Sequence, residues 1–206
     1  AEFANVFKKW NFLVETRFTS PNYSINNYGF GNETINLEDN LGTNYHRVKI
    51  STIVAKPTFK WIGRSGAEIK LGTLFESLEV ENTTGRYINS IPNYIEERKN
   101  YAGINASYMY KNADNKTFPT LGMSFELKTG WKTNIENSNE NHAFIIPSAS
   151  FNYKLVPNGK LVLATKFKGN ILIGDNFEFY NAASIGGIDG LRGYRNQRFI
   201  GNKAFY

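Results

Sequence analysis

The stretch PTLGMSFELKTGWK, residues 119–132, separates into two unlike sets when read in steps of two. Pro119, Leu121, Met123, Phe125, Leu127, Thr129 and Trp131 form one set, and Thr120, Gly122, Ser124, Glu126, Lys128, Gly130 and Lys132 the other. A β-strand sends successive side chains to opposite faces, so this reads as a strand with one apolar and one polar environment. Residues 142–155 repeat the pattern. Ala143, Ile145, Pro147, Ala149, Phe151, Tyr153 and Leu155 oppose His142, Ser148, Ser150, Asn152 and Lys154, although Phe144 and Ile146 share the second face. A third stretch sets Leu161, Leu163, Phe167, Ile171 and Ile173 against Lys160, Lys166, Lys168 and Asn170, and residues 10–18 and 102–110 behave alike. No stretch offers a capped amphipathic helix. The expected fold class is all-β.

Two segments alternate less cleanly. In residues 47–62 the apolar phase moves from Val48, Ile50 and Val54 to Ile53, Phe59 and Trp61, with Pro57 inside the run. An extra residue flips the side-chain phase, so a β-bulge near residues 54–56 is expected. In residues 66–80, Ile69, Leu71 and Phe75 share a face while Leu78 and Val80 fall on the other.

The connections alternate in length. They run long (residues 20–44), short (63–66), long (81–99), short (112–116), medium (133–141), short (157–159) and long (174–200). The strands between them exceed the roughly 5–6 residues usual in globular sheets. Long strands joined by tight turns at one end and long loops at the other suit an outer-membrane β-barrel. A mean hydropathy of −0.43 is compatible, because half of each barrel strand faces a polar interior. Trp10, Trp61, Tyr110 and Tyr153 fall near the short-turn ends, where amphipathic rings of a periplasmic-side girdle belong. Seven strands are fewer than the eight of the smallest single-chain barrel. Residues 1–3 read as the tail of a preceding strand and Phe205–Tyr206 as the start of a following one. Residues 1–206 are therefore expected to be an interior part of one larger barrel domain.

Composition closes several other routes. The absence of cysteine excludes disulfide frameworks, thiol catalysis and Cys-based zinc sites, and two histidines cannot build a His-rich metal centre. No apolar run approaches the roughly 20 residues of a spanning helix, and residues 1–10 lack the form of a signal peptide. The charge of +6 is set by 24 basic against 18 acidic residues. It does not imply nucleic acid, because the lysines alternate with apolar positions and no aromatic stacking platform shares their face. A polar lumen or anionic lipopolysaccharide at the outer rim accounts for the basic residues more economically.

The glycine-rich run IGGIDGLRGY, residues 185–194, lacks the G-x-G-x-x-G spacing and the following helix of a nucleotide site. It resembles instead the long-loop motif of the bacterial surface-antigen barrel superfamily, which includes BamA-type assembly, TamA-type translocation and FhaC-type secretion barrels. The matching residues are Leu191, Arg192, Gly193 and Tyr194, preceded by Gly186 and Gly187 and followed by Gly201 and Asn202. Upstream, NNYGFGNET (residues 26–34) and Tyr45-His46-Arg47-Val48-Lys49 resemble Bacteroidota barrels of this type, some fused to a calcineurin-like phosphoesterase. The resemblance implies a sixteen-stranded barrel in which residues 174–200 are the sixth outer loop, folded into the lumen. It implies that Arg192 pairs with acidic groups of the inner wall, on strands after the motif, with Tyr194 packed beside it and Gly193 allowing close backbone approach.

Other candidates are weak. Glu76, Glu79 and Glu81 cluster at a strand end, and Glu33, Glu38 and Asp39 lie in a loop; solvated charge is the commoner fate of such groups. The sequons at Asn32 and Asn82 have no bearing if the source is bacterial, as the resemblance implies. No catalytic set, metal site or cofactor site is expected. The function implied by resemblance is insertion or translocation of proteins at the outer membrane, with membrane lipids, lipopolysaccharide, client barrels and accessory lipoproteins as partners. Alternatives are an anchor or exporter barrel for a fused phosphoesterase-type hydrolase, a passive pore, and a soluble β-sandwich binder.

Overall fold

The computed structural model describes residues 1–19, 22–63, 66–91 and 97–206. The expected turn at 63–66 and the loops at 20–44 and 81–99 therefore lie partly outside the described residues. The strands are β1 (Glu2–Phe7), β2 (Trp10–Thr19), β3 (Ser24–Asn26), β4 (Arg47–Ile62), β5 (Ala67–Glu81), β6 (Arg98–Ala113), β7 (Gly122–Asn134), β8 (Asn141–Lys154), β9 (Val162–Ile173), β10 (Ala183–Ile185), β11 (Phe199–Gly201) and β12 (Lys203–Phe205). One short helix, α1 (Glu38–Leu41), lies between β3 and β4. The main sheet runs β1-β2-β4-β5-β6-β7-β8-β9-β12, antiparallel at every step, with β3 extending the β4 edge beyond Thr19. It does not close on itself. β10 and β11 form a separate hairpin within the connection from β9 to β12.

The registers place the two sets of residues on two faces. Phe59, Leu71, Ala106, Thr129, Ile145 and Ile171 are linked partner to partner across the sheet, so they share a face. That face carries Ile53, Phe75, Ile104, Phe125 and Phe167, with Phe167 61% and Ile104 60% exposed. Large side chains left open on one contiguous face suit the hydrocarbon of a membrane rather than water. The opposite, inner face carries Lys56, Lys70, Glu76, Lys128 and Lys132. Ion pairs link its charges, among them Lys70–Glu68 at 2.7 Å and Lys128–Glu126 at 3.1 Å.

The expected bulge in β4 is absent. Val54 pairs with Glu76, Ala55 with Phe75, Thr58 with Gly72, and the β2–β4 register is unbroken through Val14–Pro57. Pairing with β5 merely lapses at Lys56 and Pro57, since proline has no N–H to donate, and resumes in the same register. The change of apolar phase has another cause. Val48, Ile50, Leu78 and Val80 point to the inner face at its long-loop end, where they pack with Ile88, Phe179 and Ile200 into a buried cluster. There the inner face is apolar because a loop covers it, while the other face carries Lys49, Ser51, Glu79 and Glu81.

β7 starts at Gly122, later than the alternation from Pro119 suggests. The Asp114 carboxylate accepts N–H groups from Asn115, Thr120 and Leu121 and the Thr120 hydroxyl, which ties residues 114–121 into a turn. These bonds, the Thr120 hydroxyl foremost, hold the Asp114 carboxyl down at about 2.

Candidate functional site: the long loop and its anchors

Residues 174–202 leave β9, cross the inner face and return to β12. Their first limb makes a helical turn at Phe179–Asn181, closed by Asn181 N–H to the Glu178 carbonyl (2.9 Å) and Ala182 N–H to the Phe179 carbonyl (3.2 Å). The turn presents consecutive side chains to the sheet. Glu178 receives the Lys99 ammonium at 2.6 Å, and Lys99 also reaches Glu140 at 2.9 Å. Phe179 enters the apolar cluster, and the Tyr180 hydroxyl lies 3.2 Å from that of Tyr101. Asn181 Oδ1 accepts from Lys132 Nζ at 2.5 Å. Lys132, 8% exposed, also bonds Glu76 at 2.7 Å and lies 5.0 Å from the Tyr101 ring centre. A buried ammonium needs a carboxylate and further acceptors, and here it has both.

The apex is the glycine-rich motif. Gly187 takes φ +74° in the left-handed region, and a Cβ there would collide with the Asn196 side chain. Gly187 N–H donates to the Tyr194 carbonyl at 3.1 Å and closes the turn. Leu191, Arg192, Gly193 and Tyr194 are exposed, and Arg192 has no ion pair among the described residues. It borders an open cavity of about 720 Å³ shared with Asn26, Arg47, Arg195 and Asn196. Tyr194 packs on Phe199, 5.5 Å between ring centres, and lines the same cavity as Arg192. Gly201 ends β11, and the Asn202 carbonyl accepts the Leu172 N–H at 2.8 Å, so this pair forms the step into β12.

The second limb meets the segment between β2 and β4. Arg195 Nε pairs with Glu38 Oε2 at 2.8 Å, and Arg198 donates to Thr34 Oγ1 at 2.8 Å and to the Thr34 carbonyl at 2.6 Å. Asn26 Nδ2 donates to the Asn196 carbonyl and Gly31 N–H to the Ile200 carbonyl. Glu38 is almost fully buried and also accepts from the Tyr28 hydroxyl at 3.3 Å. Burial, and then the Glu38 charge, push the Tyr28 phenol up to about 12, so it remains a donor. His46, 1% exposed, stacks on Tyr28 with 4.2 Å between ring centres. Leu37 N–H donates to His46 Nε2, which places the ring proton on Nδ1, facing the Asn27 carbonyl at 3.0 Å. Burial pushes this imidazole below its ordinary value.

The acidic cluster does not assemble. Glu76 points to the inner face toward Lys132, whereas Glu79 pairs with Arg98 and Glu81 with Lys49 on the other face. Among the described residues no group of acidic or histidine side chains could hold a metal ion. Trp10, Trp61, Tyr110 and Tyr153 all stand on the apolar face, toward the short-turn edge: Trp10 is paired with Trp61, and Tyr110 with Ala67 and Phe125. Sequence reasoning missed Lys99, Lys132, Glu178, Asn181 and Arg198. The available signal was the reversed apolar phase at the strand ends, Val48 and Ile50 with Leu78 and Val80, which marks where the loop packs.

One apolar face, one polar face carrying a long loop, and long antiparallel strands with alternating short and long connections define a transmembrane β-barrel wall. Residues 5–205 match the Omp85 superfamily domain, and the chain belongs to that superfamily. Its location is the bacterial outer membrane, and its superfamily is one of assembly and translocation barrels rather than enzymes. Among solved structures it is similar to BamA from Haemophilus ducreyi lacking POTRA domains 1–3, with 19% identity and a TM-score of 0.67. That match covers 95% of this chain and 37% of the BamA chain, so the sequence spans well under half the length of that relative. No curated protein matches the chain.

Proposed function

We propose that the protein containing this barrel wall inserts or translocates proteins at the outer membrane, with residues 174–200 held in the lumen as a structural loop. The observation that carries this reading is the docking of both limbs of the loop, one on the inner face through Lys99 and Lys132 and the other on the segment at residues 26–38. The exposed apex leaves Arg192 free to meet acidic side chains of the remaining wall, the role its motif has by resemblance. A guanidinium forks onto a carboxylate through two N–H groups, which suits it to pin a loop. Outer-membrane lipids and lipopolysaccharide meet the apolar face, with Trp10, Trp61, Tyr110 and Tyr153 as the periplasmic-side girdle. Client barrels and accessory lipoproteins are the protein partners, and the segment at residues 26–34 favours a Bacteroidota-type surface-antigen barrel.

The test is Arg192→Ala in the full-length protein, scored by heat-modifiable gel migration and by the amount of folded client barrels in depleted cells. The expected variant folds, loses its heat resistance at a lower temperature and assembles clients poorly. Wild-type thermal behaviour and client levels would overturn the reading.

A further inference from the structure

The geometry points to Arg198 as a positioning residue that clasps the long loop to the segment between β2 and β4, independently of the motif arginine. The inference rests on the proposed role of the loop and adds a second anchor to it. Arg198 sits with its guanidinium carbon 4.8 Å from the Tyr28 ring centre and 4.6 Å from that of Phe199. Its two terminal nitrogens donate separately to Thr34 Oγ1 and the Thr34 carbonyl. Aromatic faces and a forked pair of acceptors together recognise a planar guanidinium, and an ammonium on a flexible stem cannot satisfy both.

The contact joins residues 164 positions apart and is continuous with other links between the same two segments. Arg195 neutralises the buried Glu38, and Asn26 bridges to Asn196 and Gln197. Ile200, two residues beyond Arg198, lies in the apolar cluster under the loop. The clasp thus fixes the limb that runs from the Leu191–Tyr194 motif directly into β11 and β12. Arg192 stands at the exposed apex and makes no such contact here. Arg198 sets where that apex is held, and the fold of the sheet does not depend on it, because none of its bonds belongs to the ladder.

The test compares Arg198→Ala, Arg198→Lys and Thr34→Val in the full-length protein. Heat-modifiable migration reports the barrel, trypsin cleavage after Arg192 and Arg195 on intact cells reports the loop, and planar-bilayer currents report the lumen. All three variants are expected to fold. Cleavage should speed by at least about tenfold in Arg198→Ala, the factor that follows from losing charge-assisted hydrogen bonds. Arg198→Lys should recover only part of this, Thr34→Val should lie between wild type and Arg198→Ala, and currents should flicker more than in wild type. Wild-type cleavage and currents in Arg198→Ala, or full rescue by lysine, would overturn the clasp. If Arg198→Ala does not fold, Thr34→Val carries the test, and wild-type cleavage there refutes it. A wild-type barrel that assembles no clients would instead refute the proposed function, while the cleavage contrast would still read the clasp.

Discussion

Replacing Lys132 by methionine removes the charge that joins three elements. Its ammonium bonds Glu76 at 2.7 Å on β5 and Asn181 at 2.5 Å on the loop, and it faces the Tyr101 ring on β6. Lys132→Met keeps the volume and leaves the Glu76 carboxylate, whose side chain is 14% exposed, without its partner. Breaking a buried pair from one side costs about 3–5 kcal/mol. A carboxylate that retains some contact with lumen water belongs at the lower end, about 3 kcal/mol, or roughly a 150-fold change in the folded-to-unfolded ratio. Replacing both partners, Lys132→Met with Glu76→Met, removes the stranded charge and should cost only about 1 kcal/mol, the remainder being the lost bond to Asn181. Urea unfolding of the full-length protein in lipid vesicles, read by heat-modifiable migration, measures both. A single variant no less stable than the double would refute the claim that this ammonium is a buried structural charge.

Three further outcomes are expected. The outer segment around His46 should loosen in acid: its folded imidazole titrates below the ordinary 6.5, so the stability it confers is whole above 6.5 and is lost as the pH falls through the lower folded value. Protease cleavage within residues 26–46 should therefore accelerate below pH 6.5 in wild type and be insensitive to pH in His46→Gln. Gly187→Ala should destabilise the apex by about 1–3 kcal/mol, since alanine resists φ +74° and its Cβ meets Asn196, and the readout is faster trypsin cleavage after Arg192 with an unaltered barrel band. Single-tryptophan variants retaining Trp61 should be quenched by lipids brominated near the headgroup more strongly than by lipids brominated at the chain end, and equal quenching would remove Trp61 from the girdle.

Much of the wall was legible because strand alternation is a local signal. Residues 119–132 display both faces in one stretch, and the seven long strands all form, β7 starting three residues late, with short strands at Glu2–Phe7 and Lys203–Phe205 where residues 1–3 and Phe205–Tyr206 read as strand ends. What failed was the inference from phase alone. The switch from Val48, Ile50 and Val54 to Phe59 and Trp61 resembles a bulge in sequence, yet it records a change in what covers the inner face. Loop packing is a non-local fact that residues 47–62 cannot announce by themselves. The motif Leu191–Tyr194 was legible through its resemblance, whereas the residues that hold the loop were not. Lys99, Lys132 and Arg198 each find partners 41 to 164 positions away, and nothing in their immediate sequence distinguishes them from the other lysines and arginines of the strands.

The central claim is that β7 separates lipid from a polar interior, and single cysteines test it strand-wise. Residues 1–206 contain no cysteine, so each replacement along Gly122–Asn134 introduces the one reporter of this segment. In full-length protein in native outer membranes, replacements at Ser124, Glu126 and Lys128 should react with a charged, membrane-impermeant maleimide. Replacements at Met123, Phe125 and Leu127 should react only with an apolar one. Labelling with a period of two is the predicted result. Equal access of the charged reagent to both sets, or a period near three and a half, would contradict a transmembrane barrel wall.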